Sequence, residues 1–404
     1  MDANLNNITI VETASVISAP MAGRFLADWG ANVIHIEPVT QKAVEARRTR
    51  ATQKITNPGG DIMSDNTVRN KRMMTLDLSK ERGLEILHRL LKDADVFLAN
   101  FRPYEIEKFK LRYENIGKTY PRLVYANLTG FGREGPERDL PAYGNLAGDS
   151  KAGLLQSLTV PGSFPPQTTS TMTDLIAASN LACGILAALL IRERTGEGQE
   201  VDVSLFHSML FVLSGDIAHS ILTGRSRQTI DRKDASNGTG NSYKTKDGRW
   251  LMITLSPRQA KNWPQFCNSI GHPELQNDPR FDSMENRAQN NVELTRFLDK
   301  VFASKTLEQW KPSLNTCGYP WSPMQNFEEV IEDPQAKANK YFIPFDDPTY
   351  GRIDLIANPI RLSKTPAQPP SIAPEPGQHT DDILVQHGYS FLEITQFVED
   401  GVIA

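Results

Sequence analysis

The chain has 404 residues, which is too long for one simple core and fits two domains. Its formal net charge of −4 excludes the broadly basic surface that binds nucleic acid or an anionic membrane, so an anionic ligand needs a local basic patch. The odd number of scattered cysteines (Cys183, Cys267 and Cys317) argues against a disulfide framework. The first residues lack the basic start and apolar run of a secretory signal, which predicts a cytoplasmic protein.

Strand and helix patterns alternate at the start of the chain. Pro20 and Gly30 mark the first turn and the end of the first helix. The alternation predicts an α/β fold with a parallel sheet covered on both faces. The segments that carry it are, in order, NITIVET, PMAGRFLADWG, NVIHIE, MMTLDL, KERGLEILHRLLKDA, DVFLANF and RLVYANLTGF.

The middle of the chain places an acid at the mouth of an apolar helix. Residues 133–173 are rich in Gly, Pro, Ser and Thr without a period, which is typical of a functional loop. The helix runs from Leu175 to Arg194, and its apolar run is too short to predict a membrane span. Thr171 and Asp174 have the spacing of a capping box. The local sequence therefore favours a helix-capping role for Asp174, and a catalytic role is the alternative.

The second half of the chain predicts a separate set of elements. Another apolar helix runs from Leu205 to about Leu222, and a polar crossover occupies 223–242. Asp247 and Gly248 predict the turn of a β-hairpin. Helical stretches continue to about Trp310, and a Pro-rich connector at 366–378 precedes a last helical segment.

Two motifs suggest nucleotide binding but lack the required context. GFGREG at 130–135 follows a strand, but no helical period follows it, which disfavours a nicotinamide or flavin site. Gly117-Lys118-Thr119 lacks the earlier glycine of a P-loop, because Arg112 stands there. The histidines show no metal-ligand spacing, so no metal is expected.

Basic residues cluster near strand ends. Two of the clusters follow carboxyl ends of predicted parallel strands, where such sheets bind ligands. A local patch of this kind in an acidic protein predicts an anionic, phosphorylated ligand. The clusters are Arg47, Arg48, Arg50 and Lys54; then Arg69, Lys71 and Arg72; then Arg102 and Lys108.

Several long blocks resemble the class III CoA-transferase family, which includes formyl-CoA, carnitine and aromatic-acid CoA-transferases. The resemblance covers nearly the whole chain, with the blocks in the family's order. They are SAPMAGRFLADWGANVIHIEP at 18–38, NKRMMTLDL at 70–78, ADVFLANFRP at 94–103, LVYANLTGFGREGP at 123–136, GILAALLIRERTGEGQEVDVSL at 184–205 and PGQHTDDIL at 376–384.

The resemblance implies specific site residues. The family's catalytic aspartate lies ten residues before the GILAAL block, at Asp174 here. It would transfer CoA from an acyl-CoA donor to a carboxylic acid through an aspartyl anhydride and an aspartyl-CoA thioester, with no metal. The residues expected against coenzyme A are Val16, Ser18, Asn70, Lys71, Arg72, Asn100, Phe101, Arg102, Lys108 and Tyr143.

The resemblance also implies the architecture. A Rossmann-like large domain would combine 1–222 with 325–404, a smaller α+β domain would span 226–320, and two chains would interlock as a homodimer. Residues 133–173 and 236–243 are expected to line the pocket for the substrate acids, and Phe164 in the first of these segments indicates an apolar acid.

Two departures from the family pattern leave alternatives open. Thr173 stands where a glycine usually precedes the aspartate, and Tyr143-Gly144 stands where YD or HD is common. A non-catalytic CoA-binding subunit of a hetero-oligomeric transferase is therefore one alternative. An acyl-CoA racemase of the same superfamily is another, disfavoured because the tyrosine phenol keeps its proton to about pH 10 and cannot replace the racemase histidine.

Overall fold

The computed structural model describes residues 4–39, 62–168, 171–227, 229, 231–232, 238–254 and 261–404. The basic cluster at Arg47, Arg48, Arg50 and Lys54 lies outside these residues. The chain forms two compact units. Unit 1 comprises Met1–Gln156, Gln167–Ser226 and Tyr341–Ala404, and unit 2 comprises Ser157–Pro166 and Arg227–Lys340.

Unit 1 is built on a six-stranded parallel sheet, which confirms the predicted α/β class. The strand order is β3-β2-β1-β4-β5-β6. Thr13 pairs with Ala99, and Ala99 pairs with Asn127, so the carboxyl ends of β1, β4 and β5 lie side by side. The strands are β1 Thr9–Thr13, β2 Asn32–Glu37, β3 Arg72–Thr75, β4 Val96–Ala99, β5 Val124–Thr129 and β6 Glu200–Ser204.

Helices cover both faces of this sheet. On one face the core contains α1 and α7, and on the other it contains α3 and the C-terminal helices. The predicted leucine stripe of α3 is buried at Leu87, Leu90 and Leu91. The helices of unit 1 are α1 Ser18–Asp28, α2 Ile62–Val68, α3 Glu81–Lys92, α4 Pro103–Lys108, α5 Tyr113–Thr119, α7 Met172–Thr195, α8 Leu205–Val212, α9 Ser214–Thr223, α16 Thr380–Gln386 and α17 Phe391–Glu399.

The long apolar helix α7 begins earlier than its sequence predicts, so Asp174 lies inside its first turn. The predicted capping box is wrong, because no side-chain hydrogen bond caps Thr171 and the Asp174 carboxylate has another partner. By length and composition α7 could cross a membrane, contrary to the sequence-based expectation. In unit 1 its face at Ala177, Ala178 and Leu181 is buried in the core, where α7 packs on α1, β5 and β6.

The segment predicted as an irregular loop contains regular structure. A π-helix spans Asn145–Ser150, and a short helix, α6, spans Leu154–Leu158. Short π-helices of this kind are rare, and they are frequent at functional sites. The predicted single helix after Leu205 is two helices, α8 and α9, bent by 72°.

The C-terminal residues return to the sheet of unit 1. His379 donates its backbone N–H to the carbonyl of Met73, and Ala404 exchanges two hydrogen bonds with the Thr75 hydroxyl. A further hairpin in this unit consists of β10 Phe342–Asp347 and β11 Gly351–Ile356.

Unit 2 has its own core and a three-stranded antiparallel sheet. Gly248 lies in the predicted hairpin turn with φ 80°, a value that glycine adopts without strain. The strands are β7 Asn241–Lys244, β8 Trp250–Ile253 and β9 Trp321–Pro323. The helices are α10 Trp263–Ser269, a 3₁₀-helix at Pro273–Gln276, α11 Met284–Gln289, α12 Asn291–Phe302, α13 Leu307–Leu314, α14 Phe327–Glu332 and α15 Pro334–Ala338.

A buried charge cluster joins three strands to α1. The Lys71 ammonium donates to both oxygens of Glu12, at 2.7 and 2.9 Å, and to the carbonyl of Pro20. His35 also contacts Glu12 through Nδ1 at 2.5 Å. Burial lowers the pKa of Lys71, and the Glu12 carboxylate opposes that shift. Gly23 leaves the space that the Glu12 carboxylate fills, since a Cβ there would lie 1.8 Å from Oε2.

Glu12→Gln is expected to destabilise unit 1 by about 3–5 kcal/mol, because it leaves the Lys71 charge buried without a countercharge. Urea unfolding followed by circular dichroism measures the change. The matched control is Glu85→Gln, which breaks an exposed pair with Arg82 and should leave unfolding unchanged. Equal stability of the two variants would contradict a structural role for the cluster.

Candidate active site

A cavity of about 340 Å³ opens at the carboxyl ends of β1, β4 and β5. This is the edge at which parallel sheets bind ligands. Its walls come from the loops after these strands, from the segment before the π-helix and from the start of α7. The lining residues are Ser15, Val16, Ser18, Asn100, Phe101, Arg102, Glu105, Leu128, Thr129, Gly130, Arg138, Leu140, Pro141, Ala142, Tyr143, Asp174 and Leu205.

The loop after β1 is held in an unusual conformation. Val16 has φ 70°, a left-handed value that is costly for a β-branched residue, and its side chain is exposed. Asn100 holds this loop at two points: its Oδ1 accepts from the Ser15 N–H at 3.1 Å, and its Nδ2 donates to the Ser15 carbonyl at 2.8 Å. Asn100 therefore shapes the cavity wall through the backbone of the neighbouring loop.

Asp174 places a half-buried carboxylate at the cavity. The hydroxyl of Ser18, in the first turn of α1, donates a short hydrogen bond to Asp174 Oδ1. Burial raises the pKa of Asp174 above the ordinary aspartate value, and the charge of Asp149 raises it further, while the Ser18 hydrogen bond lowers it. A carboxylate near a helix N-terminus, with a raised pKa and an open side, is a candidate nucleophile or general base.

Thr173 is accommodated by a matched glycine. The Thr173 hydroxyl donates to the buried Asp149 carboxylate at 2.6 Å, and Thr168 donates to its other oxygen. A Cβ at Gly148 would lie 2.2 Å from the Thr173 side chain, so Gly148 leaves the room that Thr173 occupies. The residue before Asp174 therefore fixes the π-helix against the start of α7.

Two arginines supply positive charge at the cavity. Arg102 precedes α4 and interacts with Glu105 and the Tyr104 hydroxyl, and Arg138 pairs with Asp139. Their side chains are 38% and 40% exposed, so both guanidinium groups can reach a ligand. Sequence reasoning missed Arg138, because it lies in a segment without a period. Its place eight residues after Gly130, just past β5, was the available signal.

The structure brings some of the predicted site residues together at this cavity. These are Val16, Ser18, Asn100, Phe101, Arg102, Tyr143 and Asp174. Asn70, Lys71, Arg72 and Lys108 are not among the lining residues.

The four residues outside the cavity have other contacts. Lys71 is buried against Glu12, and Asn70 bonds with Ser371. Arg72 donates to Asn32 and Gln386, and the Lys108 ammonium lies over the Phe109 ring. The basic strand-end cluster at 69–72 therefore contributes to packing in this structure, and Lys71 has no free charge to offer a phosphate.

The described part of the chain contains no group of three or more His, Cys, Asp and Glu side chains that could hold a metal ion. The charged side chains that line the cavity are the carboxylates of Asp174 and Glu105 and the guanidinium groups of Arg102 and Arg138.

Comparison with known proteins identifies the family. The model of CoA-transferase family III matches residues 5–380. The chain is 30% identical over 405 residues to (R)-2-hydroxy-4-methylpentanoate CoA-transferase of Clostridioides difficile, covering 99% of each chain. It is also 30% identical over 410 residues to cinnamoyl-CoA:phenyllactate CoA-transferase of Clostridium sporogenes, covering 99% of this chain and 98% of the relative.

A solved structure shows the same fold. A CAIB/BAIF family protein from Brucella suis superposes with a TM-score of 0.79 at 26% identity, covering 95% of this chain and 99% of that one. Because the family model matches residues 5–380 and both relatives match 99% of the chain at 30% identity, the chain belongs to CoA-transferase family III and is a class III acyl-CoA:carboxylate CoA-transferase.

Proposed function

We propose that Asp174 is the nucleophile that carries CoA from an acyl-CoA donor to a carboxylic acid acceptor. The observation that carries this proposal is the half-buried Asp174 carboxylate, open to a cavity at the carboxyl edge of the sheet. Its position ten residues before the GILAAL block matches the family's catalytic aspartate. The exchange replaces one thioester by another, so it needs no energy from a nucleotide.

The proposed reaction has four covalent steps. An Asp174 oxygen attacks the donor's acyl carbon, the carbon–sulfur bond breaks, and CoA thiolate leaves an aspartyl anhydride. The thiolate attacks the Asp174 carbonyl carbon and releases the donor acid, which keeps the attacking oxygen. The acceptor acid then attacks the aspartyl-CoA thioester to form a second anhydride. Thiolate attack on the acceptor's carbonyl carbon gives the product and restores the Asp174 carboxylate.

The two cavity arginines are proposed to hold the phosphates of CoA. Arg102 and Arg138 present exposed guanidinium groups, and guanidinium matches phosphate oxygens in pairs. Val16, Asn100, Phe101 and Tyr143 complete the proposed binding surface. Asn70, Lys71, Arg72 and Lys108 do not belong to the proposed site, because they do not line the cavity.

Two relatives act, by their names, on 2-hydroxy acids with an apolar tail. We therefore propose an acceptor of this class. Apolar side chains at the cavity, including Leu128, Leu140 and Leu205, suit such a tail. A mass-spectrometric screen of acyl-CoA donors against hydroxy, dicarboxylic and aromatic acids tests the choice, and turnover of dicarboxylic acids alone would contradict it.

Asp174→Asn is expected to fold normally and to lose transfer, because an amide cannot form the anhydride. The paired measurement is the melting temperature and the transfer rate of the purified chain with the best donor and acceptor. Hydroxylamine should also attack the activated Asp174 carbonyl of the wild-type chain during turnover, release CoA or the donor acid, and leave a hydroxamate on the peptide that contains Asp174.

A folded Asn variant with wild-type turnover would contradict the nucleophile. Failure of the wild-type chain alone, with activity restored by a second subunit, would instead favour a subunit of a hetero-oligomeric transferase. One relative is named a beta subunit of such an enzyme.

Arg102→Gln and Arg138→Gln should each raise KM for the acyl-CoA by about tenfold or more, with a smaller fall in kcat, because phosphate contacts stabilise ground and transition states alike. Steady-state kinetics measures both constants. Arg82→Gln, on the exposed surface of α3, is the control and should change neither. An unchanged KM in both cavity variants would show that Arg102 and Arg138 do not bind the phosphates of CoA.

The family resemblance leads us to propose an interlocked homodimer. Linked chains cannot separate without unfolding, so sedimentation should show a dimer that persists on dilution into the nanomolar range. A monomer at micromolar concentration would contradict the proposal.

A further inference from the structure

The two oxygens of Asp174 have different surroundings. Oδ1 accepts the hydrogen bond from the Ser18 hydroxyl, and Ser18 is buried in the first turn of α1. Oδ2 faces Gly144, where an added Cβ would lie 2.4 Å away. One oxygen is therefore held by a donor, and the other packs closely against Gly144, where only the missing side chain leaves room for it.

We infer that Ser18 is a further catalytic residue that holds Oδ1, while Oδ2, for which Gly144 leaves room, forms the bond to the acyl carbon. The inference rests on the proposed role of Asp174 as nucleophile. It assigns a role to Ser18 and Gly144 through their contacts with the two reacting oxygens.

The assignment gives Ser18 a function in two different states. When Oδ2 attacks, Oδ1 becomes the carbonyl oxygen of the aspartyl anhydride. When the thiolate then attacks the Asp174 carbonyl carbon, the negative charge develops on Oδ1. The Ser18 O–H already points at that atom, and a donor placed in advance on a developing oxyanion stabilises the transition state. The donor acid departs with Oδ2, and Ser18 keeps its proton throughout.

Gly144 supplies the space for the other oxygen. Its backbone has φ −53° and ψ −43°, which any residue adopts easily, so backbone strain does not require a glycine here. The close approach of Asp174 Oδ2 does require one. Gly144→Ala is therefore compatible with the backbone but presses a methyl group against Oδ2, which must then move.

Ser18→Ala is expected to lower kcat by about 100-fold, as removal of one oxyanion donor does, with little change in KM for the acyl-CoA. Loss of the hydrogen bond should also move the acid limb of the rate to higher pH, because that bond favours the ionised form of Asp174. The other charged groups that face Asp174 are Asp149 from the π-helix and Arg102, Glu105 and Arg138 across the cavity. These stay unchanged, so the shift reports on Ser18.

Asp149→Asn serves as a comparison, because it should shift the acid limb of the rate in the opposite direction. It removes the like charge that raises the pKa of Asp174, so the acid limb should move to lower pH. Ser179→Ala is the matched control for Ser18→Ala. Ser179 lies on α7, and its hydroxyl bonds only locally to the Leu175 carbonyl, so rate and pH profile should remain those of the wild type.

Gly144→Ala is expected to keep the melting temperature and to lose most transfer. Gly215→Ala is its control, because an added Cβ at Gly215 meets nothing within 4 Å, and it should behave as wild type. All variants are assayed as the full chain beside Asp174→Asn with one donor and acceptor pair.

The outcomes separate this inference from the proposed function. Transfer activity in Asp174→Asn would contradict the role of Asp174 as nucleophile and, with it, the proposed function. An inactive Asp174→Asn beside wild-type turnover in either Ser18→Ala or Gly144→Ala overturns only the assignment of the two oxygens. Should Gly144→Ala fail to fold, the rate and acid limb of Ser18→Ala decide the question alone.

Discussion

The parallel register of three strands is the constraint on which the site depends. Thr13, Ala99 and Asn127 lie in one row across β1, β4 and β5. Because β1 and β4 end in that row and β5 ends two residues later, the chain leaves the sheet three times at the same edge. The following residues then face one cavity: Val16 and Ser18 after β1, Asn100 and Arg102 after β4, and Gly130 and Arg138 after β5. The first turn of α7 brings Asp174 to the same place.

The site combines rigid support with groups held at some energetic cost. Val16 has a left-handed backbone and Asp174 is half-buried with a raised pKa. Close to them, the hydrogen bonds between Asn100 and Ser15 and between Thr173 and Asp149 fix the backbone on both sides of the cavity. The buried Glu12–Lys71 ion pair links β1 to the start of β3. Lys71 also bonds to Pro20 of α1, the helix that carries Ser18. These contacts therefore hold the backbone in place around the strained Val16 and the half-buried Asp174.

Much of the fold could be predicted from sequence, because the strands and helices of unit 1 have clear periods. The hydrogen-bond partners of individual side chains could not be predicted, because they depend on residues distant in the chain. Asp174, for example, has the spacing of a capping residue but accepts a hydrogen bond from Ser18 instead. The same holds for Lys71, whose place in a basic cluster suggested a phosphate contact before the structure paired it with Glu12. Resemblance to the family selected Asp174, and the close approach of Asp174 Oδ2 to Gly144 was visible only in three dimensions.

In the proposed mechanism, Asp174 exchanges an oxygen with the substrates in every turnover. The direct measurement uses an acceptor acid labelled with heavy oxygen in its carboxyl group, followed by mass spectrometry of the peptide that contains Asp174. If Asp174 is the nucleophile, heavy oxygen from the acceptor appears in the Asp174 carboxyl group after turnover, and the donor acid released in later cycles carries it away. Complete transfer of CoA with no label in this peptide or in the released acid would show that Asp174 forms no covalent intermediate.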